Sequence, residues 1–63
     1  MENLNADQIA QLKSAYGQAE ILINGEVWTR FGSMREWKVS PHGESGDYDS
    51  DSYWIDFEEV NSL

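Results

Sequence analysis

Apolar positions change their spacing along the chain, and the change divides it into elements. Ile9, Leu12 and Tyr16 recur at i, i+3 and i+7, with Ala6 and Ala10 beside them, which is one face of a helix. The polar residues around that stripe agree. Asn5 stands where an N-cap is wanted, and Gln8 three residues later completes a capping box. Leu4 and Ile9 have the spacing of a hydrophobic staple, and Asp7 puts a negative charge in the first turn, where the helix dipole favours it. Gly17 supplies a left-handed C′ residue. The spacing predicts a helix over 6–16, too short to be stable unless its apolar face packs on something.

From residue 19 the period shortens to two. Ala19 to Ile23 and Glu26 to Phe31 flank Asn24-Gly25, the strongest short signal for a β-hairpin. A two-residue turn pairs Ile23 with Glu26, Leu22 with Val27 and Ile21 with Trp28. One face then carries Ala19, Ile21, Ile23 and Trp28, the natural partner of the helix, and the other carries Leu22, Val27 and Phe31. After Gly32-Ser33, residues 36–40 alternate as a third strand and stop at Pro41. Residues 53–58 alternate again, with Tyr53, Ile55 and Phe57 on one face, although WIDFEEV also fits the start of a terminal helix. The sum is a single α+β domain spanning 1–63: one N-terminal helix packed on a three- or four-stranded antiparallel meander. Aromatic residues are expected to supply most of so small a core, with Trp28, Trp37, Trp54 and Tyr16 structural. Apolar residues left on the open face (Leu22, Val27, Phe31, Trp54) would form an interaction surface.

Charge sharpens this picture. Twelve acids against four bases give a net charge of -8 on 63 residues. Residues 1–40 hold five acids and four bases, whereas 41–63 hold seven acids (Glu44, Asp47, Asp49, Asp51, Asp56, Glu58, Glu59) and no base. Direct binding to nucleic acid or to an anionic membrane is therefore not expected, because both require Lys or Arg to displace counterions. A basic protein surface would attract the chain, with association that weakens in salt. The N-terminal MENLNADQ has neither the basic nor the apolar region of a secretory signal, and no apolar run approaches the roughly 20 residues of a membrane span, so a cytoplasmic protein is expected. The absence of cysteine fits that compartment. The oligomeric state is left open.

Asp47, Asp49 and Asp51 alternate, with Glu58 eleven residues after the first. These are the carboxylate positions of an EF-hand calcium loop, but Ser52 stands where that loop needs Gly, and PHGESG ahead of it does not make a helix. No metal ligand and no cofactor is expected, and a degenerate divalent-cation site is kept as an alternative. In an extended chain the same three aspartates would stand about 6.6 Å apart on one side, a row comparable in kind to the charges of a phosphate backbone. Tyr48, Tyr53 and Trp54 lie beside them to stack on arginine or on base-binding surfaces. Catalysis is not expected: His42 is the one histidine, no cysteine nucleophile exists, and no phosphate-binding or nucleophile-elbow motif occurs.

In size, charge and economy of domain, this compact, cysteine-free, strongly acidic chain resembles the small inhibitors that phages encode against host defences, anti-CRISPR proteins and DNA mimics among them. The resemblance implies an inhibitor that binds a basic, nucleic-acid-binding effector and occludes it sterically and electrostatically. Glu44, Asp47, Tyr48, Asp49, Asp51, Tyr53, Trp54, Asp56, Glu58 and Glu59 are the candidate contacts. A general interaction module working through the apolar sheet face is the alternative.

Overall fold

The Asn5 capping box forms as its sequence dictates. The Asn5 side chain accepts from the Gln8 amide at 2.9 Å, and the Gln8 side chain accepts from the Asn5 amide at 2.9 Å. The computed structural model describes residues 4–32, 35–43 and 50–63. Helix α1 runs Ala6–Lys13, shorter than the expected 6–16. Two interactions account for the early stop. Ser14 takes the C-cap, its hydroxyl donating to the Gln11 carbonyl, and the Arg30 guanidinium claims the Ala15 carbonyl at 3.0 Å. Gly17 does adopt a left-handed conformation (φ 59°), but it turns the chain toward the sheet instead of capping the helix. Tyr16, expected on the apolar stripe, consequently lies outside the helix and is 88% exposed.

The sheet follows the sequence closely. Strands β1 (Ala19–Ile23), β2 (Glu26–Arg30), β3 (Glu36–Ser40) and β4 (Tyr53–Asp56) lie in the order β1-β2-β3-β4, each antiparallel to its neighbour. The hairpin register is the expected one, with Ile23 opposite Glu26 and Ile21 opposite Trp28. Asn24 and Gly25 both take positive φ (52° and 79°), the turn whose twist matches that of the flanking strands. β2 ends at Arg30, one residue before the expected limit. The last segment is divided. β4 stops at Asp56, whose carboxylate accepts from the Glu58 amide and caps a short helix α2 (Phe57–Asn61), so that both readings of WIDFEEV hold in part.

One sheet face and the two helices enclose the core. Ile21, Ile23, Trp28, Trp37, Val39 and Ile55 meet Leu12 of α1 and Val60 of α2, with Leu4, Ala15 and Phe57 at the margin. Trp28 and Trp37 pack edge to face at 6.2 Å and 71°, and Phe57 tilts against Trp37 at 6.0 Å. Trp28 and Trp37 are thus structural, as expected. Trp54 is not part of this core: it lies on the far face and is 45% exposed.

That far face is not open in the way its alternation implies. Val27, Thr29, Lys38 and Ser40 are all buried on it, and Phe31 is half-buried against the Trp54 ring at 6.0 Å. Only Leu22 and Trp54 of the expected apolar patch remain exposed. The burial has a cost at Thr29, whose hydroxyl finds no hydrogen-bond partner among the described residues. Thr29→Val keeps the β-branched shape while removing the stranded hydroxyl. It should stabilise the protein by about 1 kcal/mol, read as a rise of roughly 4–8 °C in thermal midpoint. A lower midpoint would mean that the hydroxyl is in fact satisfied.

Candidate functional site

The acidic segment is organised by β4 and α2. Asp51 lies just before β4, Asp56 ends it, and Glu58 and Glu59 occupy the first turn of α2, all four on the surface. The acids in that turn are favourably placed for the helix dipole. Glu44, Asp47, Tyr48 and Asp49 lie outside the described residues, so the aspartate row is represented here by Asp51 alone.

Several candidate contacts are already occupied by the fold. Asp51 Oδ2 sits 2.6 Å from His42 Nε2, which ties the two ends of the β3–β4 connection together. His42 therefore has a local partner, a contact that no sequence spacing announced. Asp56 is a structural cap as well as a surface charge. A sequence signal for this existed, since Glu59 follows Asp56 by three residues as an acid follows a capping residue. Glu58 makes only a loose pair with Arg35 at 4.0 Å, both side chains well exposed, a kind of contact worth about 0–1 kcal/mol. Tyr53 shares the core face with Ile55 yet is 43% exposed. Partial burial, and after it the Glu26 carboxylate, raises its phenol above the usual range, so it remains a neutral hydrogen-bonding group.

The cap and the charge of Asp56 can be separated. Asp56→Ala should cost about 1 kcal/mol, whereas Asp56→Asn retains a good capping oxygen and should cost much less. Equal losses in thermal midpoint for the two variants would show that the charge, not the cap, holds α2.

Of the four carboxylates with calcium-loop spacing, Asp47 and Asp49 lie outside the described residues, and Asp51 and Glu58 flank β4. Its four extended residues rise about 13 Å, which puts those two carboxylates at opposite ends of a strand. Among the described residues no group of three or more His, Asp or Glu side chains is placed to hold a metal ion.

The bases are used differently from the acids. Lys13 donates to the Leu63 carbonyl at 2.9 Å. Arg30 is part-buried, its guanidinium carbon 4.2 Å above the Phe57 ring centroid while Nη1 holds Ala15. Lys38 is buried, with its ammonium 5.9 Å from the Trp54 ring centroid. Three of the four bases thus hold the fold together, and their positions in sequence did not reveal it. Among the described residues no helix is long and apolar enough to cross a membrane. Comparison with protein-family models, with curated proteins and with solved structures returns no match.

Proposed function

We propose that this protein is a small acidic inhibitor, of the anti-CRISPR or DNA-mimic kind, that binds a basic, nucleic-acid-binding effector and blocks it by steric and electrostatic occlusion. One observation carries the reading: Arg30 is part-buried and Lys38 buried, while Asp51, Asp56, Glu58 and Glu59 remain on the surface. The surface is therefore more acidic than the sequence ratio alone implies. Glu44, Asp47 and Asp49 belong to the same candidate surface by sequence, and Tyr48, Tyr53 and Trp54 would add stacking area. On this reading the site of action is the cytoplasm, the host's if a phage encodes the chain. The exposed Leu22 and Trp54 keep a second reading in view, an interaction module that works through the far sheet face.

The test is capture of partners from host lysate at 50 and 500 mM salt, followed by displacement of nucleic acid from each purified partner. Affinity should fall about 10- to 100-fold between the two salt concentrations, because the attraction acts between exposed charges. A variant carrying Asp51→Asn, Glu58→Gln and Glu59→Gln, with the Asp56 cap retained, should lose about tenfold or more at low salt. Recovery only of partners that lack a basic surface, or binding indifferent to both changes, would overturn the proposal and favour the sheet-face module.

A further inference from the structure

The outer edge of β1 presents the backbone in an ordered pattern. A two-residue turn makes Ile23 and Glu26 a hydrogen-bonded pair, so Ile21–Trp28 and Ala19–Arg30 follow as hydrogen-bonded pairs. The amides and carbonyls of Ala19, Ile21 and Ile23 therefore point into the sheet, and those of Glu20 and Leu22 point out of it. No turn, loop or cap hydrogen bond among the described residues reaches Glu20 or Leu22. β1 has no Pro, no Lys and an unbroken register with β2, so Glu20 is the one charged residue that guards this edge. At the other edge, β4 has four residues and ends in the charged cap Asp56.

The same two residues also set the side-chain chemistry. Glu20 and Leu22 project on the far face, side by side, and both are exposed, Leu22 at 69%. Glu20 stands opposite the uncharged Thr29, and no base lies on β1. A second copy of the chain would bring another Glu20 and another net charge of -8 to this edge, which opposes self-pairing. We infer that the outer edge of β1 takes up an extended basic segment of the partner as a fifth strand, with Lys or Arg beside Glu20 and an apolar side chain beside Leu22. The inference rests on the reading of the partner as basic and gives that partner a backbone conformation as well as a charge.

The probe is the peptide acetyl-Lys-Val-Lys-Val-Lys-Val-amide added to the ¹⁵N-labelled protein, with amide hydrogen exchange followed residue by residue. The Glu20 and Leu22 amides should exchange about tenfold or more slowly with the peptide bound, while hexalysine leaves them unchanged. Leu22→Pro removes an outward amide without removing a ladder bond and should abolish the effect. Leu22→Lys keeps the backbone intact and should weaken it by like-charge repulsion, a second variant that does not depend on tolerance of proline. Unchanged exchange at both amides overturns the inference, as does protection that grows with protein concentration alone, the sign of a second copy. Equal protection by acetyl-Thr-Val-Thr-Val-Thr-Val-amide overturns the basic character of the segment. Shifts confined to Asp51, Glu58 and Glu59 overturn the edge assignment but leave the basic-partner reading standing, whose own failure shows separately as salt-indifferent capture.

Discussion

Trp28→Ala is expected to cost about 3–5 kcal/mol and to abolish the cooperative thermal transition. Trp28 lies on a central strand, is 1% exposed, and packs its ring edge to face against Trp37 beneath the two helices. A chain of 63 residues has about 3–9 kcal/mol of stability in total, so a single truncation of this size removes most or all of it. The conservative variant gives the contrast. Trp28 Nε1 is buried without a partner among the described residues, so Trp28→Phe gives up no hydrogen bond to them and loses only ring area. Circular dichroism at 25 °C should find Trp28→Phe folded and Trp28→Ala largely unfolded. If the alanine variant melted within a few degrees of the parent, the tryptophan pair would not be the centre of the core.

Leu12→Ala should be the second most damaging change, at about 2–5 kcal/mol. Leu12 is the one buried residue of α1, and it meets the core formed by the sheet and Val60. Eight helical residues do not persist in water unaided, so loss of this anchor should melt the helix as well as weaken the core. The expected signature is a loss of helical signal at 222 nm together with a lower urea midpoint. Retention of the full helical signal in a destabilised protein would place the anchor elsewhere, with Ala15 or Leu4 as the next candidates.

The elements most legible in the sequence were those whose signals are local. Asn5 with Gln8, Asn24-Gly25, and the alternation of 36–40 each determine backbone geometry within a few residues, and each formed as expected. What the sequence concealed was set by distant contacts. Tyr16 continued the helical spacing, but Arg30, fifteen positions after Ala15, took the Ala15 carbonyl at the point where the helix would have passed. Val27 read as exposed by alternation, yet the far face of the sheet is covered at Val27 and Ser40, which alternation cannot report. The acidic surface was legible as charge and not as structure. Spacing alone did not distinguish Asp51, held by His42, from Glu58, which pairs only loosely with Arg35. Nor did composition reveal that Arg30 and Lys38 would be drawn into the fold.

The plain order of the sheet has a kinetic consequence. Every strand pairs with its neighbour in sequence, a topology that folds quickly because few distant residues must meet first. The closures are unequal, however. Two residues join β1 to β2, whereas residues 41–52 join β3 to β4, a difference in loop entropy of about 1.6 kcal/mol. The hairpin around Asn24-Gly25 should therefore nucleate the sheet, and β4 with α2 should dock last and detach first. The carboxylates of Asp56, Glu58 and Glu59 ride on that late-docking piece, so a partner that grips them would also hold shut the part of the protein that opens most readily.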